Sequence, residues 1–356
     1  VYKNNSNLIV GGEPPISIFD IFKAHQGQFS KYGEATKYHR YYTFGAYYSI
    51  KAIIAALQLD SNDQVLLPSY LCPTILKPFK EAKVSYQFYQ IKEGLCPDLE
   101  DIYSKINSHT KAIMIIDYFG LPSKEIIKPL TSIIAHKNIA IIQDTVQAWL
   151  SNEKDLYGDY CFNSLRKICP YEASVILSTN IMNFTCSTGR MNKFMMHKRY
   201  AQFLRNYHLK YGWFRASSFL SHIEIANSLY HQQYIAALPK INRIMLDKID
   251  FYRLGENRKK VHKILLQSLN VKPIIINSDI NYVSLGLAIQ INNRDRIKKE
   301  LYSKNVYCPI HWLLSDEINK KEFEYSWYLQ DNELTLPLNV KTNQIQSYLQ
   351  VLKEVI

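Results

Sequence analysis

An apolar run closes on a carboxylate, and about twenty residues further on stands a lysine. The first segment is Ile141-Ile142-Gln143-Asp144-Thr145-Val146-Gln147-Ala148. The second, Gly158-Asp159-Tyr160-Cys161-Phe162-Asn163-Ser164-Leu165-Arg166-Lys167, follows a turn-like Tyr-Gly-Asp and sets a hydroxyl shortly before its lysine. An acid at the end of a buried strand lies at the edge of a dry pocket. Ionised there, it keeps a facing pyridine nitrogen protonated, so the ring can accept the electrons of a substrate carbanion. A half-buried lysine beside an electropositive group has its ammonium destabilised, so the neutral amine that attacks an aldehyde becomes accessible and can later carry a proton. Anion and amine together are what pyridoxal 5'-phosphate requires. Gln147 is placed to donate to the phenolic oxygen of that cofactor and Ser164 to bond its phosphate. The amides at Gly45-Ala46-Tyr47 form a helix start suited to an anion. Plainer alternatives stand beside each: Asp144 as a helix cap, Gln147 as an exposed helix residue, Lys167 as a surface lysine next to Arg166.

The elements that must position these groups alternate from about residue 44. After Gly45, residues Tyr47, Ile50, Ile54 and Leu57 form an apolar stripe at helical spacing, and Val65-Leu66-Leu67-Pro68 reads as a short strand. Helices are expected near 73–81, at 98–106 behind Pro97-Asp98, and from Ser123 to about His136; strands are expected at 84–89, 111–118 and 139–143. Strands alternating with helices imply a mostly parallel sheet covered on both faces, with ligands at the carboxyl ends of its strands, where Tyr118 and Asp144 fall. After a strand at 174–178 the chain is mainly helical to about Ser268. Strands at 271–276 and 285–291, a helix at 294–304, strands near Val306 and at 334–338, and a terminal helix from Asn343 then follow. The expected fold is α/β: a large doubly wound domain over residues 1–239 and a smaller α+β domain over 240–356.

At 356 residues, two domains are expected rather than one. The six cysteines lack paired CxxC spacing, which argues against a zinc site or a disulfide framework and for a reducing cytoplasm. No stretch approaches the roughly 18 apolar residues of a membrane span, and the start of the chain lacks a signal-type apolar core, so the protein reads as neither inserted nor exported. The net charge of +12 and the basic stretch from His197 to Arg215 raise nucleic acid as a partner. No known binding module accompanies that stretch, however, and helical spacing accounts for its aromatics as packing. A phosphorylated or nucleotide-linked substrate would use the same positive field.

Several segments in order resemble the DegT/StrS-type sugar aminotransferases among the fold-type-I pyridoxal phosphate enzymes. They are Gly11-Gly12-Glu13-Pro14-Pro15, Phe44-Gly45-Ala46, Leu67-Pro68-Ser69-Tyr70-Leu71-Cys72-Pro73, Tyr118-Phe119-Gly120-Leu121-Pro122, the two segments above, Cys308-Pro309-Ile310-His311-Trp312 and Leu334-Thr335-Leu336-Pro337-Leu338. The resemblance implies Lys167 as the lysine that holds the cofactor, Asp144 at the pyridinium nitrogen, Gln147 near the ring oxygen, Ser164 with Gly45 and Ala46 on the phosphate, and Cys72 over one ring face. It implies His311 and Tyr118 at the substrate pocket, a homodimer with the site at the subunit interface, and amino transfer from glutamate to a keto-sugar or keto-sugar nucleotide. A lysine rather than a histidine at position 167 favours transamination over dehydration. Departures from the pattern are Gln143 for an acid, Asp117 for a histidine, Ala46 for an arginine, Cys72 for an aromatic and Ala173-Ser174 for paired glycines. These departures motivate a second reading, a homodimer that keeps the fold as a binding or scaffold protein.

Overall fold

The computed structural model describes residues 8–14, 24, 26–31, 37–134, 137–150, 156–275 and 282–356. Seven strands form its main sheet: β1 (His39–Thr43), β2 (Gln64–Pro68), β3 (Ser85–Tyr89), β4 (Thr110–Ile116), β5 (Ala140–Asp144), β6 (Tyr160–Phe162) and β7 (Ser174–Ser178). Their spatial order is β1-β7-β6-β5-β4-β2-β3. Contacts from β3 through β6 are parallel, and β7 alone runs against its neighbours. Residues Ala112–Ile116 of β4 and all of β6 and β7 are buried. Since successive strand residues point to opposite faces, both faces of the sheet are covered there, as parallel sheets require.

Local chemistry explains most boundaries. Asp98 caps helix 99–105 by accepting from the amides of Glu100 and Asp101. The helix expected from Ser123 begins later, at Lys128, after turns over 124–127, and the Ser123 hydroxyl donates to the Ile116 carbonyl; its expected end at His136 lies outside the described residues. The strand expected over 271–276 is found at Lys272–Pro273, with the Ile274 amide still donating to the Ala288 carbonyl at 3.0 Å; Ile276 is outside the described residues, as is Pro15. Strand β1, half-buried and rich in tyrosine, has no clean apolar alternation to announce it.

A second sheet joins β8 (Lys272–Pro273), β9 (Gly286–Gln290) and β10 (Glu333–Pro337), all antiparallel. Leu8 and Val10 share its core with Val261, Leu265, Leu301 and Leu352, and Val10–Gly11 pairs with Val306–Tyr307. The helix Phe251–Ser268 bridges the two bodies: Phe251 packs with Trp149 and Leu165 of the large one, Val261 and Leu265 with the small one. Among the described residues no helix is long and apolar enough to cross a membrane.

Candidate active site

Strands β5 and β6 are parallel neighbours, with Asp144 in register with Phe162; the short turn Leu165–Lys167 follows β6. Asp144 and Lys167 therefore emerge at the same carboxyl edge of the sheet. The Asp144 side chain is buried and accepts from the Val146 amide at 2.8 Å. Burial pushes its pKa up to about 7; the Val146 bond opposes this, the Asp117 carboxylate adds to it, and Lys167 opposes it. Lys167 is half-buried, and its ammonium is destabilised first by desolvation and next by the Arg166 charge, against the pull of Cys72, Asp144 and Glu172. An amine biased toward neutrality and a carboxylate in want of a cation thus feel each other across one site.

Gln147 supplies the clearest test of fit. Its Oε1 accepts from the Phe119 amide at 2.8 Å, which fixes the orientation of the side chain. Its Nε2 is buried without a partner among the described residues. A buried donor left unmade costs about 1–3 kcal/mol, and the ring oxygen of pyridoxal phosphate is an acceptor of the kind this donor lacks. Ser164 is buried and does not use its hydroxyl to cap the turn that follows it. Gly45 opens the helix Ala46–Ala56 with no side-chain cap, leaving first-turn amides for an anion. The Tyr230 hydroxyl stands where a side chain at position 45 would begin, so any larger residue there would have to displace that tyrosine. Cys72 is half-buried, near enough to Lys167 to act on its charge, with Sγ 3.0 Å from Thr74 Oγ1. The cofactor-holding residues read from the sequence therefore suit the group.

His311 comes to this site from the small body. Its Nδ1 lies 2.8 Å from Thr335 Oγ1, its amide donates to Glu333 Oε2 at 2.7 Å, and the Thr335 hydroxyl donates to Glu333 Oε1. With its one proton spent on Glu333, the Thr335 hydroxyl must accept from His311, so Nδ1 carries the hydrogen and Nε2 is a bare acceptor. Burial, with the Lys167 charge adding, lowers the imidazole to about 3 and keeps it neutral. Both His311 and Lys167 line a cavity of about 460 Å³. Of the site residues expected from the sequence only these two line it: Asp144, Gln147, Ser164, Gly45, Ala46 and Cys72 do not, and Tyr118 is buried with its hydroxyl donated to the Tyr70 carbonyl at 2.5 Å.

Three features escaped the sequence reading. Arg166 lies over the Tyr230 ring, 6.0 Å from its centroid, and 4.0 Å from the Glu172 carboxylate. Glu172 is an acid between apolar neighbours and was detectable; Tyr230 was not, because nothing local ties it to Gly45. Ala173 and Ser174, in place of paired glycines, require no left-handed backbone, and Ser174 sits in register with Thr43 in the sheet. Finally, the aromatics of the basic stretch are not all interior packing: Tyr200, Phe203, Tyr211, Trp213 and Phe214 are exposed, because helices 191–211 and 216–230 pack on each other and leave their outer faces bare.

No curated protein sequence matches the chain. Among solved structures it is similar to the PLP form of Spr1654 from Streptococcus pneumoniae, described as a sugar aminotransferase, at 14% identity and a TM-score of 0.68, covering 98% of this chain and 100% of that one. NtdA from Bacillus subtilis with bound cofactor PMP gives 14% identity and a TM-score of 0.68 over 99% of this chain and 87% of that one. A DegT DnrJ EryC1 StrS aminotransferase from Brucella abortus gives 15% and 0.66 over 91% and 88%. At such identities these likenesses establish the fold, an α/β architecture shared with aminotransferases. Residues 45–347 match the sequence model of the DegT/DnrJ/EryC1/StrS aminotransferase family, and the chain belongs to that pyridoxal phosphate-dependent family.

Proposed function

We propose that this aminotransferase moves an amino group from glutamate to a keto-sugar or nucleotide-linked keto-sugar, working as a homodimer in the cytoplasm. The observation that carries the reading is the placement of Lys167 and Asp144 at adjacent strand ends, with Gln147, three residues after Asp144, keeping a buried Nε2 that has no partner among the described residues. When bound, pyridoxal phosphate would supply an aldehyde carbon to carry the amino group from donor to acceptor and a ring to take up the electrons of the substrate carbanion. Asp144 holds a positive charge on the ring nitrogen, and that charge relieves the burial cost of its own carboxylate. Gln147 Nε2 orients the ring through its oxygen. Ser164 and the amides at Gly45 and Ala46 bind the phosphate. Lys167 Nζ would hold the cofactor and, as a neutral amine, would be the base available to take and return a proton of the amino donor. His311 Nε2 accepts from a substrate hydroxyl, a contact that a sugar offers. The exposed apolar side chains of helix 191–211 (Tyr200, Phe203, Tyr211), of the connection that follows (Trp213, Phe214) and of helix 216–230 (Leu220, Ile225) are the surface a second copy would cover, since large exposed apolar patches mark interfaces.

Purified protein is expected to be yellow, borohydride to fix the cofactor, and Lys167→Ala to abolish that attachment. Incubation with glutamate and a panel of keto-sugar nucleotides, read by mass spectrometry, should yield one aminated product. Protein that stays colourless with added cofactor would favour the scaffold reading instead.

A further inference from the structure

The residues that line the Lys167 cavity carry more positive charge than the reaction of the lysine uses. Two acids line it, and both are engaged: Glu172 with Arg166 at 4.0 Å, and Glu13 with Lys198. Arg258 and Lys298 are left. Arg258 projects from the helix Phe251–Ser268, is 4% exposed, and among the described residues bonds through a single nitrogen: Nη1 donates to the carbonyls of Leu285 at 2.5 Å and Ser284 at 3.5 Å. Among the described residues no carboxylate lies within ion-pair distance of it. A guanidinium has five N–H groups in a fixed fork, so most of this one's hydrogen-bonding capacity is unused. Burial lowers its pKa to about 10, so the side chain remains a cation at neutral pH without an acid to compensate it. Lys298, half-buried on the helix Arg294–Ser303, lines the same cavity and likewise has no ion-pair partner among the described residues. The acid whose charge it feels is Glu333, whose oxygens already accept from His311 and Thr335.

A buried cation is kept in a fold when something pairs with it, and bidentate recognition of planar oxyanions is what the arginine fork does best. We propose that Arg258, seconded by Lys298, is the anchor for an oxyanion of the substrate, held at the small-body end of the Lys167 cavity. Two groups share this chemistry: a carboxylate of the amino donor and the diphosphate of a nucleotide-linked acceptor. The inference rests on the aminotransferase reading above and extends it to a residue for which neither the sequence motifs nor the cofactor accounts.

The test uses protein loaded with pyridoxal phosphate and compares wild type with Arg258→Gln and Lys298→Gln by calorimetric titration, one arm with 2-oxoglutarate, which carries the donor's carboxylates but no amine to react, and one with uridine diphosphate. Arg258→Gln is expected to weaken at least one arm by about tenfold or more, the loss of a charge-assisted bond, with visible absorbance and cofactor affinity unchanged. Weakening of the oxoglutarate arm assigns the site to the donor carboxylate; weakening of the nucleotide arm assigns it to the carrier. The proposal is overturned if wild type binds neither anion. It is also overturned if both variants bind both anions within a factor of about two, whatever their melting temperatures, because Arg258 then only clamps the carbonyls of Ser284 and Leu285. Should Arg258→Gln fail to fold, Arg258→Lys and Lys298→Gln carry the comparison, and unchanged binding in both overturns it. Absence of cofactor colour would sink the aminotransferase reading, while the anion titrations would still report on Arg258.

Discussion

Replacing Asp144 by asparagine should make the cofactor-free protein more stable and the loaded protein weaker. The carboxylate has an ordinary pKa of 3.8 and is held near 7 in the fold, chiefly by burial. An acid with a raised folded pKa binds more protons in the folded state, so its stabilising contribution is full below about 4 and is lost as pH rises through 7. A shift of about three units at 1.36 kcal/mol each amounts to about 4 kcal/mol of folding free energy withheld at pH 8. Asparagine keeps an oxygen for the Val146 amide and carries no charge, so Asp144→Asn should recover most of that amount at pH 8 and almost nothing at pH 4. Chemical denaturation of cofactor-free wild type and variant, repeated from pH 4 to 8.5, reads the difference directly. The gap should open between pH 4 and 7 and then stay level. In the same variant, cofactor affinity should fall by about tenfold or more, since the ring nitrogen loses a charge-assisted partner. A stability gap that does not change with pH would refute the claim that Asp144 is ionised at a cost which the cofactor relieves.

Other perturbations separate the remaining parts of the site. Gly45→Ala places a Cβ against the Tyr230 hydroxyl and should cost about 1–3 kcal/mol together with cofactor affinity; adding Tyr230→Phe should return part of both in a double-mutant cycle, and strict additivity would show that the two do not touch. Thr335→Val removes the acceptor for His311 Nδ1 and should cost about 1–3 kcal/mol by denaturation. In wild type, the His311 ring signals should not titrate above pH 5 by NMR, because the folded imidazole is held near 3; the unfolded state then binds the extra proton, so this group lends stability as pH rises from about 3 to 6.5. Tyr200→Glu with Phe203→Glu should shift the protein toward monomer in sedimentation velocity, and an unchanged dimer would move the interface elsewhere. Gln143→Glu sets a carboxylate against Asp117, across a contact now 2.6 Å long, and should lower the melting temperature at pH 8 but much less at pH 5; combining it with Asp117→His should restore stability.

Much of the large body was readable because its strands are near-continuous apolar runs: the 174–178 strand is found over the expected residues, and 64–68, 85–89, 110–116 and 140–144 fall within a few residues of expectation. The lysine and acid were legible because each sits at a fixed offset from such a run. What stayed hidden was long-range. Arg258 looks like any cation on a charged helix, since its burial comes from residues near 285 folding over it. Thr335 and Glu333 lie more than twenty residues from His311, and only the register of β10 brings their oxygens to the ring. The exposed aromatics of 197–215 follow helical spacing as faithfully as buried ones do, so periodicity could not say whether their partner lies in this chain.

The departures at positions 117 and 143 form one coupled exchange. Gln143 Nε2 donates to Asp117 Oδ2, and the other Asp117 oxygen accepts from Tyr157 Oη at 2.9 Å and the Ser123 amide at 3.0 Å. Gln143 Oε1 in turn accepts from the amides of Tyr157 and Gly158. The family's sequence pattern has a histidine at the first position and an acid at the second. Aspartate at 117 opposite an acid at 143 would set two carboxylates against each other without water; Gln143 supplies a donor to that carboxylate instead. The exchange also sets the Asp117 carboxylate where its charge opposes ionisation of Asp144. These two departures thus alter how strongly Asp144 demands a cationic partner, while Asp144, Gln147, Ser164 and Lys167 keep their types and, of the side chains assigned to the cofactor, Cys72 is the one that departs.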